Sequence, residues 1–482
     1  MIKRYPTLLF FNKTLPLQSH LLSYYIFTLF STCFFLESAL LYSLMNFSIY
    51  TLGCKINQYE SECIIQAWQS YGLKYVHELA ETDIFVINSC AVTESAVKEA
   101  KKLVEKLVKN QFQGRIILTG CATQLLDTLQ TEGVEYITVL QEEKETLLEY
   151  PKQILSQYDL PSQNQAHTEY EEETLLATTE EEPFVLTSSL RARATVKVHD
   201  GCSHRCTYCI IPYTRGPSRS RSLSAIISEI RGLLEQGHRE IILSGINLRQ
   251  FGADFTFPMD FWDLIARLEH EFASEWHTHA RFRISSLEPC QLNDKALDTL
   301  AQAQLVCPHL HISLQSASYN VLKKMARGHY SVDMLYDALD GLKQIWNIFA
   351  LGVDIITGFP GETDDDFILT QESLISLPIT YAHIFPFSER PFTQAPTMKD
   401  QVYPHIRKER AKLLRSIAQE KHRSFMEMLV TKQLPQHIVS EKNNPYAGIS
   451  QYYIECKKQT PFLDVAIPHT PIAYYDTYID VQ

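Results

Sequence analysis

Three cysteines near the middle of the chain have the spacing of an iron–sulfur ligand loop. They lie in the run Cys202-Ser-His-Arg-Cys206-Thr-Tyr-Cys209, directly after a predicted strand, and are called the core triad below. Three thiolates on one loop can bind three irons of a 4Fe-4S cluster and leave the fourth iron open to another ligand. Structural zinc normally takes four ligands, and no fourth Cys or His follows at zinc-finger spacing. His204 lies inside the loop, so a zinc site stays open as the alternative.

Three further cysteines each end a predicted strand in the first third of the chain. Cys54 follows SIYTLG, Cys90 follows DIFVINS and Cys121 follows RIILTG, and we call them the edge triad. Helical periodicity over 57–71 and 93–109 separates these strands, which predicts a parallel sheet with crossover helices. The carboxyl ends of parallel strands meet at the edge where open α/β sheets bind ligands. The three thiols are therefore expected to lie at one edge of the sheet.

Length and composition restrict the class of protein that carries these cysteines. The chain has 482 residues, of which 45% are hydrophobic and 21% charged, so it is expected to fold into several globular domains and not to be disordered, collagen-like or coiled-coil. Its net charge of −12 means that any contact with RNA must come from a local basic patch. Eleven cysteines are too sparse for a secreted disulfide scaffold and favour metal or redox chemistry.

The first 45 residues differ from the rest of the chain. The run Leu21 to Leu36 carries no charge, and Lys3, Arg4 and Lys13 precede it, as in a signal sequence or membrane anchor. At 16 residues the run is shorter than the roughly 20 that span a bilayer. A clean strand pattern begins just after Met45. We expect the natural start at Met45, with 1–45 outside the fold; a membrane-associated extension is the alternative.

Strand and helix patterns divide the remaining chain into three predicted folding units. After residue 190, six strand candidates alternate with helical segments, which predicts an α/β fold with a partial (β/α)6 barrel. The candidates are TVKVHDGC, EIILSGIN, ARFRISSLEP, HLHISLQS, ALGVDIITGFP and ITYAHIFPFS. Short strand-like pieces near the end predict a small β-barrel. The predicted boundaries are 46–150 for the N-terminal parallel-sheet α/β domain, 151–190 for an acidic linker, 191–425 for the barrel core and 426–482 for the β module.

The two cysteine triads resemble those of the radical S-adenosylmethionine methylthiotransferases. Further matches are DGCSHRCTYCIIPYTRGPSRSR, LSGINLRQFG, RISSLEP, HLHISLQSASYNVLKKMARGHY and DIITGFPGET, and the resemblance covers about Phe47 to Tyr474. This family inserts sulfur and then a methyl group into an unreactive C–H bond. The resemblance implies that the core triad binds a 4Fe-4S cluster with S-adenosylmethionine, and that the edge triad binds a second 4Fe-4S cluster.

The residues after Cys54 favour one branch of this family. The run Thr51-Leu-Gly-Cys-Lys-Ile-Asn-Gln-Tyr-Glu-Ser61 resembles the branch that acts on N6-threonylcarbamoyladenosine at position 37 of tRNA. The isopentenyladenosine branch typically has GCQMN there, and the branch that modifies a ribosomal-protein aspartate has GCPKN. Lys55 and Gln58 therefore favour the first, unless both are ordinary surface residues. One departure is Arg390-Pro-Phe-Thr-Gln-Ala-Pro396, where the family usually has RPGTPAA.

The resemblance also implies a mechanism and partners. An electron reaching the core cluster cleaves S-adenosylmethionine to a 5′-deoxyadenosyl radical, which removes hydrogen from C2 of adenine; the second cluster delivers sulfur, and a second S-adenosylmethionine supplies the methyl group. The expected partners are the tRNA anticodon loop and an electron donor such as flavodoxin or ferredoxin, with the sulfur donor unspecified. We expect a cytoplasmic enzyme with no stable membrane partner and no acid–base dyad. The non-enzyme alternative is an iron–sulfur carrier or redox sensor.

Polar residues at the predicted strand ends are the candidate contacts to S-adenosylmethionine, with packing, turn or salt-bridge roles as the alternatives. They are Tyr208, Ser244, Gly245, Asn247, Ser285, Glu288, Gln315, Arg327 and Asp354. The best basic patch is expected to face the anticodon stem, with solvated loop charges as the alternative. It consists of Arg215, Arg219 and Arg221 after the cysteine loop and of Arg191, Arg193 and Lys197 before it. The β module resembles the family's tRNA-binding barrel through Gly448 to Tyr453, although it is not basic. The other cysteines are expected to be bystanders: Cys33, Cys63, Cys290, Cys307 and Cys456.

Overall fold

The structure is a computed structural model that describes residues 45–126, 136–157 and 184–482. Almost all of the predicted extension and most of the predicted acidic linker lie outside these residues, as does Cys33. Among the described residues, no helix is both long and apolar enough to cross a membrane.

The N-terminal unit is a five-stranded, wholly parallel sheet with the strand order β2-β1-β3-β4-β5. The strands are β1 (Asn46–Thr51), β2 (Lys74–Tyr75), β3 (Ile84–Ser89), β4 (Arg115–Gly120) and β5 (Tyr136–Thr138). The α-helices are Lys55–Ser70, Glu94–Lys109, Thr123–Leu126 and Tyr150–Gln157, with a 3-10 helix at Gln141–Glu149. The register pairs Ser89 with Gly120, so β3 and β4 end side by side. As predicted, the sheet is parallel, and the residues after these two strands are neighbours.

The middle unit is the partial barrel that the sequence predicts. Its strands are β6 (Arg193–Asp200), β7 (Arg219–Ser220), β8 (Glu240–Gly245), β9 (Arg281–Ile284), β10 (Ser286–Leu287), β11 (His309–Gln315), β12 (Ala350–Thr357) and β13 (Tyr381–Pro386). They form two four-stranded sheets, β7-β6-β8-β9 and β10-β11-β12-β13. Ser285 alone separates β9 from β10, and a bridge from Phe282 to Val306 links β9 toward the second sheet. Counting β9 and β10 as one, six parallel strands are present, and β7 is a short antiparallel addition.

Helices cover the outer face of this barrel. They are Ile211–Thr214, Leu223–Glu235, Phe261–Trp276, Asp294–Gln302, Tyr319–Lys324, Val332–Ile345, Asp364–Ser376 and Pro404–Thr431. Capping boxes at Asp260 and Thr363 satisfy the first backbone N–H groups of two of these helices. The strands between them are almost continuously buried, as expected for a parallel sheet covered by helices, although charged and polar residues alternate with apolar ones in β9 and β11.

The C-terminal unit is a six-stranded, nearly closed β-barrel with the order β17-β14-β15-β16-β19-β18. Its strands are β14 (Gln436–Glu441), β15 (Asn444–Ser450), β16 (Glu455–Lys457), β17 (Pro468–His469), β18 (Pro471–Tyr474) and β19 (Tyr478–Val481). It has its own small core, which includes Ile438, Ile454, Cys456, Phe462 and Ile479. The prediction of a small β module is confirmed.

One buried carboxylate anchors this β module to the barrel. Glu240 at the start of β8 is fully buried and accepts hydrogen bonds from Arg281 (Nε–Oε2 2.7 Å) and Arg283 (Nε–Oε1 2.7 Å). The same arginines donate to carbonyl oxygens of the β module, those of Ile449 (2.8 Å) and Ser450 (2.9 Å). Burial alone would raise the pKa of Glu240, but the two guanidinium charges hold it far below its usual range. An ion-pair cluster inside the barrel therefore holds the two guanidinium groups that hydrogen-bond to the β module.

We expect Glu240→Gln to lower the free energy of unfolding by about 3 kcal/mol, because two buried guanidinium groups lose their counter-charge. Urea denaturation followed by circular dichroism measures this difference. Glu235→Gln, on an exposed helix position of the same unit, is the matched control and should change stability by less than about 0.5 kcal/mol. Equal stability of Glu240→Gln and the parent chain would refute the anchoring role.

Candidate functional site

The core triad lies on a loop that begins where β6 ends. Gly201 has φ +64°, and a Cβ at this position would lie 1.9 Å from the carbonyl oxygen of Pro217, so the turn requires glycine. Backbone hydrogen bonds hold the loop at both ends, from Cys202 N to Gly216 O (3.1 Å) and from Thr207 N to Met325 O (3.2 Å). The glycine turn that precedes Cys202 thus places the loop with the three thiols at the carboxyl edge of the barrel.

Polar side chains donate hydrogen bonds toward two of these thiols. Asn247 Nδ2 lies 3.6 Å from the Cys202 sulfur, and Arg327 Nη1 lies 3.5 Å from the Cys206 sulfur. Burial raises the pKa of Cys209 to about 12, and the neighbouring core thiols add to this. A bound metal overcomes this raised pKa, because a thiol that coordinates a metal is deprotonated. Three thiols with N–H donors to sulfur fit the ligand set of an iron–sulfur cluster with one open iron.

Glu288 fixes the guanidinium that contacts Cys206. Its carboxylate is buried and pairs with Arg327 Nη2 (3.0 Å), Arg249 Nε (2.8 Å) and His329 Nε2 (2.6 Å). Burial alone would raise the pKa of Glu288, but the hydrogen bond from His329 and the two guanidinium charges lower it to about 2. Of the predicted cofactor contacts, Asn247, Glu288 and Arg327 are thus brought to the core triad.

Most other predicted cofactor residues line the same barrel edge without contacting a core thiol. Four of them end strands β8, β9 and β11 or follow directly, namely Ser244, Gly245, Ser285 and Gln315. Gln315 has φ +63° beside a β-bulge, a conformation that non-glycine residues adopt mainly where the surroundings impose it. Tyr208 packs edge-on against Phe359 at 6.2 Å between ring centroids.

Asp354 lies within β12 and pairs with histidines of the neighbouring strands. Its Oδ1 pairs with His311 Nε2 (3.0 Å) and His383 Nδ1 (3.2 Å) on the two adjacent strands. Burial alone would raise the pKa of Asp354, but these hydrogen bonds hold it well below its usual range. The structure therefore places this predicted cofactor contact in a His–Asp–His group on the barrel wall.

The edge triad gathers at the carboxyl edge of the N-terminal sheet. Cys90 and Cys121 are buried, whereas Cys54, at the start of helix Lys55–Ser70, is exposed. Gly53 has φ +94°, and a Cβ there would lie 2.6 Å from the Cys90 sulfur, so this approach also requires glycine. Burial raises the pKa of Cys90 to about 11, with further contributions from the Cys121 and Cys54 sulfurs. With Cys54 exposed and Cys90 and Cys121 buried, the edge triad could hold an iron–sulfur cluster that is open to solvent on one side.

Arg215 joins the two thiol sites. It follows the core loop by six residues and is buried, and its Nε donates to the Cys121 sulfur (3.1 Å). The rest of the guanidinium donates to Glu60 (2.9 and 3.1 Å), Asn57 (2.7 Å) and Asp200 (2.9 Å). Burial alone would raise the pKa of Glu60, but Arg215 and two buried lysines hold it below its usual range. The sequence analysis assigned Arg215 to RNA and missed this role, because most of its partners are distant in sequence.

The predicted RNA-facing patch needs correction at two of its arginines. Arg215 is buried as described, and Arg221 is buried in an ion pair with Glu229 (2.5 Å). Arg221 also donates to Lys197 O (2.8 Å). Neither guanidinium is available to a phosphate, because each is surrounded by acceptors of the protein. Arg219 remains exposed.

A cavity of about 660 Å³ opens beside Cys54. Lys55, Gln58, Arg193 and Tyr453 belong to its wall, so the two residues that the sequence analysis singled out after Cys54 face the same space. Burial, together with the charges of Arg283 and Arg193, lowers the pKa of Lys55 to about 8. The contribution of Tyr453 from the β module was not predicted, since no local pattern indicates it.

Comparisons with known proteins agree on one family. The Radical SAM superfamily matches residues 196–374, and the uncharacterized protein family UPF0004 matches residues 46–140. The chain is 31% identical over 415 residues to the threonylcarbamoyladenosine tRNA methylthiotransferase MtaB of Bacillus subtilis, covering 85% of this chain and 89% of that protein. It is 30% identical to the tRNA-2-methylthio-N(6)-dimethylallyladenosine synthase of Lawsonia intracellularis, with 84% and 90% covered.

A solved structure shares the fold. The radical S-adenosylmethionine methyltransferase TsrM from Kitasatospora setae, with cobalamin and a [4Fe-4S] cluster bound, aligns with a TM-score of 0.52 at 14% identity. The alignment covers 73% of this chain and 74% of that one. At this identity the likeness concerns the arrangement of strands and helices alone.

We expect each thiol triad to hold its own iron. Replacing the three cysteines of either triad by alanine should remove about four iron atoms per chain, and replacing both should remove about eight. Iron and acid-labile sulfide are measured on anaerobically reconstituted protein. Cys63→Ala, a buried cysteine outside both triads, is the control and should keep the full content. An iron content unchanged by loss of the edge triad would contradict this.

The contacts of Arg215 predict a large effect on stability in the cluster-free protein. Arg215→Met should lower the free energy of unfolding by about 3 kcal/mol, because Glu60 and Asp200 lose a buried counter-charge. Arg219→Met, four residues away but exposed, should change it by less than about 0.5 kcal/mol. Denaturant titration measures both, and similar small effects for the two variants would show that Arg215 is not a buried link.

Proposed function

The chain belongs to the radical S-adenosylmethionine tRNA methylthiotransferases, and we propose that it attaches a methylthio group to C2 of N6-threonylcarbamoyladenosine in the anticodon loop of tRNA. We further propose that two 4Fe-4S clusters take part, one on each triad. Two S-adenosylmethionine molecules are consumed per product, one as radical source and one as methyl donor.

One observation carries this proposal: Cys54 is exposed at the rim of the cavity, while Cys90 and Cys121 are buried behind it. A cluster on these thiols would present one side to a ligand in the cavity and be shielded from water on the other. Lys55 and Gln58, which resemble the threonylcarbamoyladenosine branch, belong to the same wall. Several relatives at about 30% identity carry the name of that activity, which supports this substrate.

The chain's own residues have positioning tasks in this reaction. When bound, the clusters and S-adenosylmethionine supply the radical, the sulfur and the methyl group that the protein itself lacks. Asn247 and Arg327 orient the core thiols through hydrogen bonds to sulfur, and Glu288 holds Arg327 in place. Arg215 keeps the edge triad at a fixed place relative to the core loop. No acid–base pair is needed to break the C–H bond, because the hydrogen leaves as an atom and not as a proton.

Two partners complete the proposal. The tRNA would reach the cavity over a surface that includes Arg219, an exposed member of the predicted patch. A low-potential donor of the flavodoxin or ferredoxin class would supply the electron. A source of sulfur is also required, because each product removes one sulfur atom.

Nucleoside analysis tests the reaction and the substrate together. The chain is expressed in a host that lacks its own methylthiolation of threonylcarbamoyladenosine, and tRNA digests are analysed by mass spectrometry. We expect the 2-methylthio derivative of threonylcarbamoyladenosine, and none from the Cys202→Ala variant. A methylthio group on dimethylallyladenosine instead would confirm the type of reaction and refute the proposed substrate. Absence of any new nucleoside, with both clusters verified, would refute the tRNA assignment.

A further inference from the structure

The cavity beside Cys54 is bounded by all three folding units. Lys55 and Gln58 lie in the first turn of helix Lys55–Ser70, Arg193 begins β6, and Tyr453 precedes β16 in the β module. A volume of about 660 Å³ is in the range of nucleoside-sized ligands. The β module therefore contributes directly to the space beside the exposed thiol.

Two cations of this wall have unused hydrogen-bond donors. The Lys55 ammonium makes no hydrogen bond or ion pair with any described residue and lies 5.9 Å from the centre of the Tyr453 ring. Arg193 gives Nη2 to Glu441 (3.1 Å), but its Nε is buried without an acceptor. Leaving such donors unpaired costs free energy, more so for charged groups. A ligand with an anionic acceptor would remove this cost.

The other two cations of the wall are already paired. Arg191 forms an ion pair with Glu62 (3.5 Å), and the Lys442 ammonium donates to the Ser189 carbonyl oxygen (2.7 Å). Of the four cations, Lys55 has no hydrogen-bond or ion-pair partner among the described residues, and Arg193 has a buried Nε donor without an acceptor although its Nη2 pairs with Glu441. These two are therefore the candidates for binding a ligand.

Tyr453 holds these two cations near each other. Its ring lies 5.9 Å from Lys55 Nζ, 5.9 Å from Arg193 Cζ and 5.2 Å from Arg283 Cζ, distances at which cations are attracted to an aromatic face. Tyr453 has φ +63°, and its N–H donates to Ser450 O (3.0 Å) in a tight turn. A backbone conformation that is costly for tyrosine places the ring between the cations.

We propose that Lys55 and Arg193 form a carboxylate subsite that receives the amino-acid carboxylate of the substituent on N6 of the substrate adenine. This inference rests on the proposed function. In adenine, C2 and C6 flank the same ring nitrogen, so an N6 substituent lies close to the carbon that is modified. A threonylcarbamoyl group ends in a carboxylate, whereas a dimethylallyl group brings no acceptor and leaves the Lys55 ammonium and the Arg193 Nε without one. The subsite therefore selects between the two substrates named for the relatives.

A charge-neutral analogue tests this subsite. Anticodon stem-loop RNAs carry either N6-threonylcarbamoyladenosine or its threonyl methyl ester, which keeps the shape and removes the charge. The holoenzyme should bind the acid about tenfold or more tightly than the ester in fluorescence anisotropy, as expected for hydrogen bonds to a charged group. Lys55→Met and Arg193→Met should each lose most of this preference.

Controls separate a lost subsite from a lost fold or a lost reaction. Lys343→Met removes one positive charge from an exposed position on an outer helix and should keep the wild-type preference. Lys55→Gln, checked for iron content and melting temperature, should behave as Lys55→Met. Equal affinity of the wild type for acid and ester, or a preference retained in both Lys55 and Arg193 variants, would overturn the inference.

Product analysis on the same RNAs distinguishes the two proposals. If the holoenzyme prefers the acid but forms no methylthio product, the proposed reaction is refuted and the proposed subsite is supported. Methylthio product formed equally well from acid and ester keeps the reaction and refutes the subsite.

Discussion

The buried guanidinium of Arg215 determines where the two thiol sites lie relative to each other. It starts in the barrel, six residues after Cys209, and ends against the Cys121 sulfur of the N-terminal sheet. The other N–H donors of its planar guanidinium bind Glu60, Asn57 and Asp200. A lysine cannot make this set of contacts, because its single ammonium lacks the fixed fork geometry. One side chain thus connects the segment after the core loop to a thiol of the edge triad.

Buried ion pairs of the same kind occur at two other places in the structure. Each of the three has a buried carboxylate surrounded by arginines or lysines. They are Glu60 between the sheet and the barrel, Glu288 beside the core loop, and Glu240 in the barrel, whose arginine partners donate to the β module. Buried ion pairs are weak contributors to stability compared with apolar packing, but breaking one is costly. Such junctions restrict relative motion of the units. For a reaction in which two cofactors act on one carbon atom, this restriction is a functional requirement.

Sequence reasoning was most successful where a local pattern determines the structure. The strands that end in Cys54, Cys90 and Cys121, the six barrel strands and the small β module all follow from apolar periodicity and glycine positions. It failed for Arg215 and Arg221, because an arginine-rich run has the same local pattern whether it faces solvent or buried carboxylates. Their partners Glu60 and Glu229 lie 155 and 8 positions away, and only packing selects them. For the same reason, Tyr453 could not be assigned to the cavity from sequence.

The central claim is that the two triads act on one carbon, C2 of the adenine held beside Cys54. The most direct measurement uses an anticodon stem-loop with deuterium at C2 of N6-threonylcarbamoyladenosine, incubated anaerobically with the reconstituted enzyme, S-adenosylmethionine and a reductant. We expect deuterium in the 5′-deoxyadenosine that is released, together with a methylthio group in the RNA. Release of 5′-deoxyadenosine without deuterium, from a reaction that modifies the RNA, would contradict the claim.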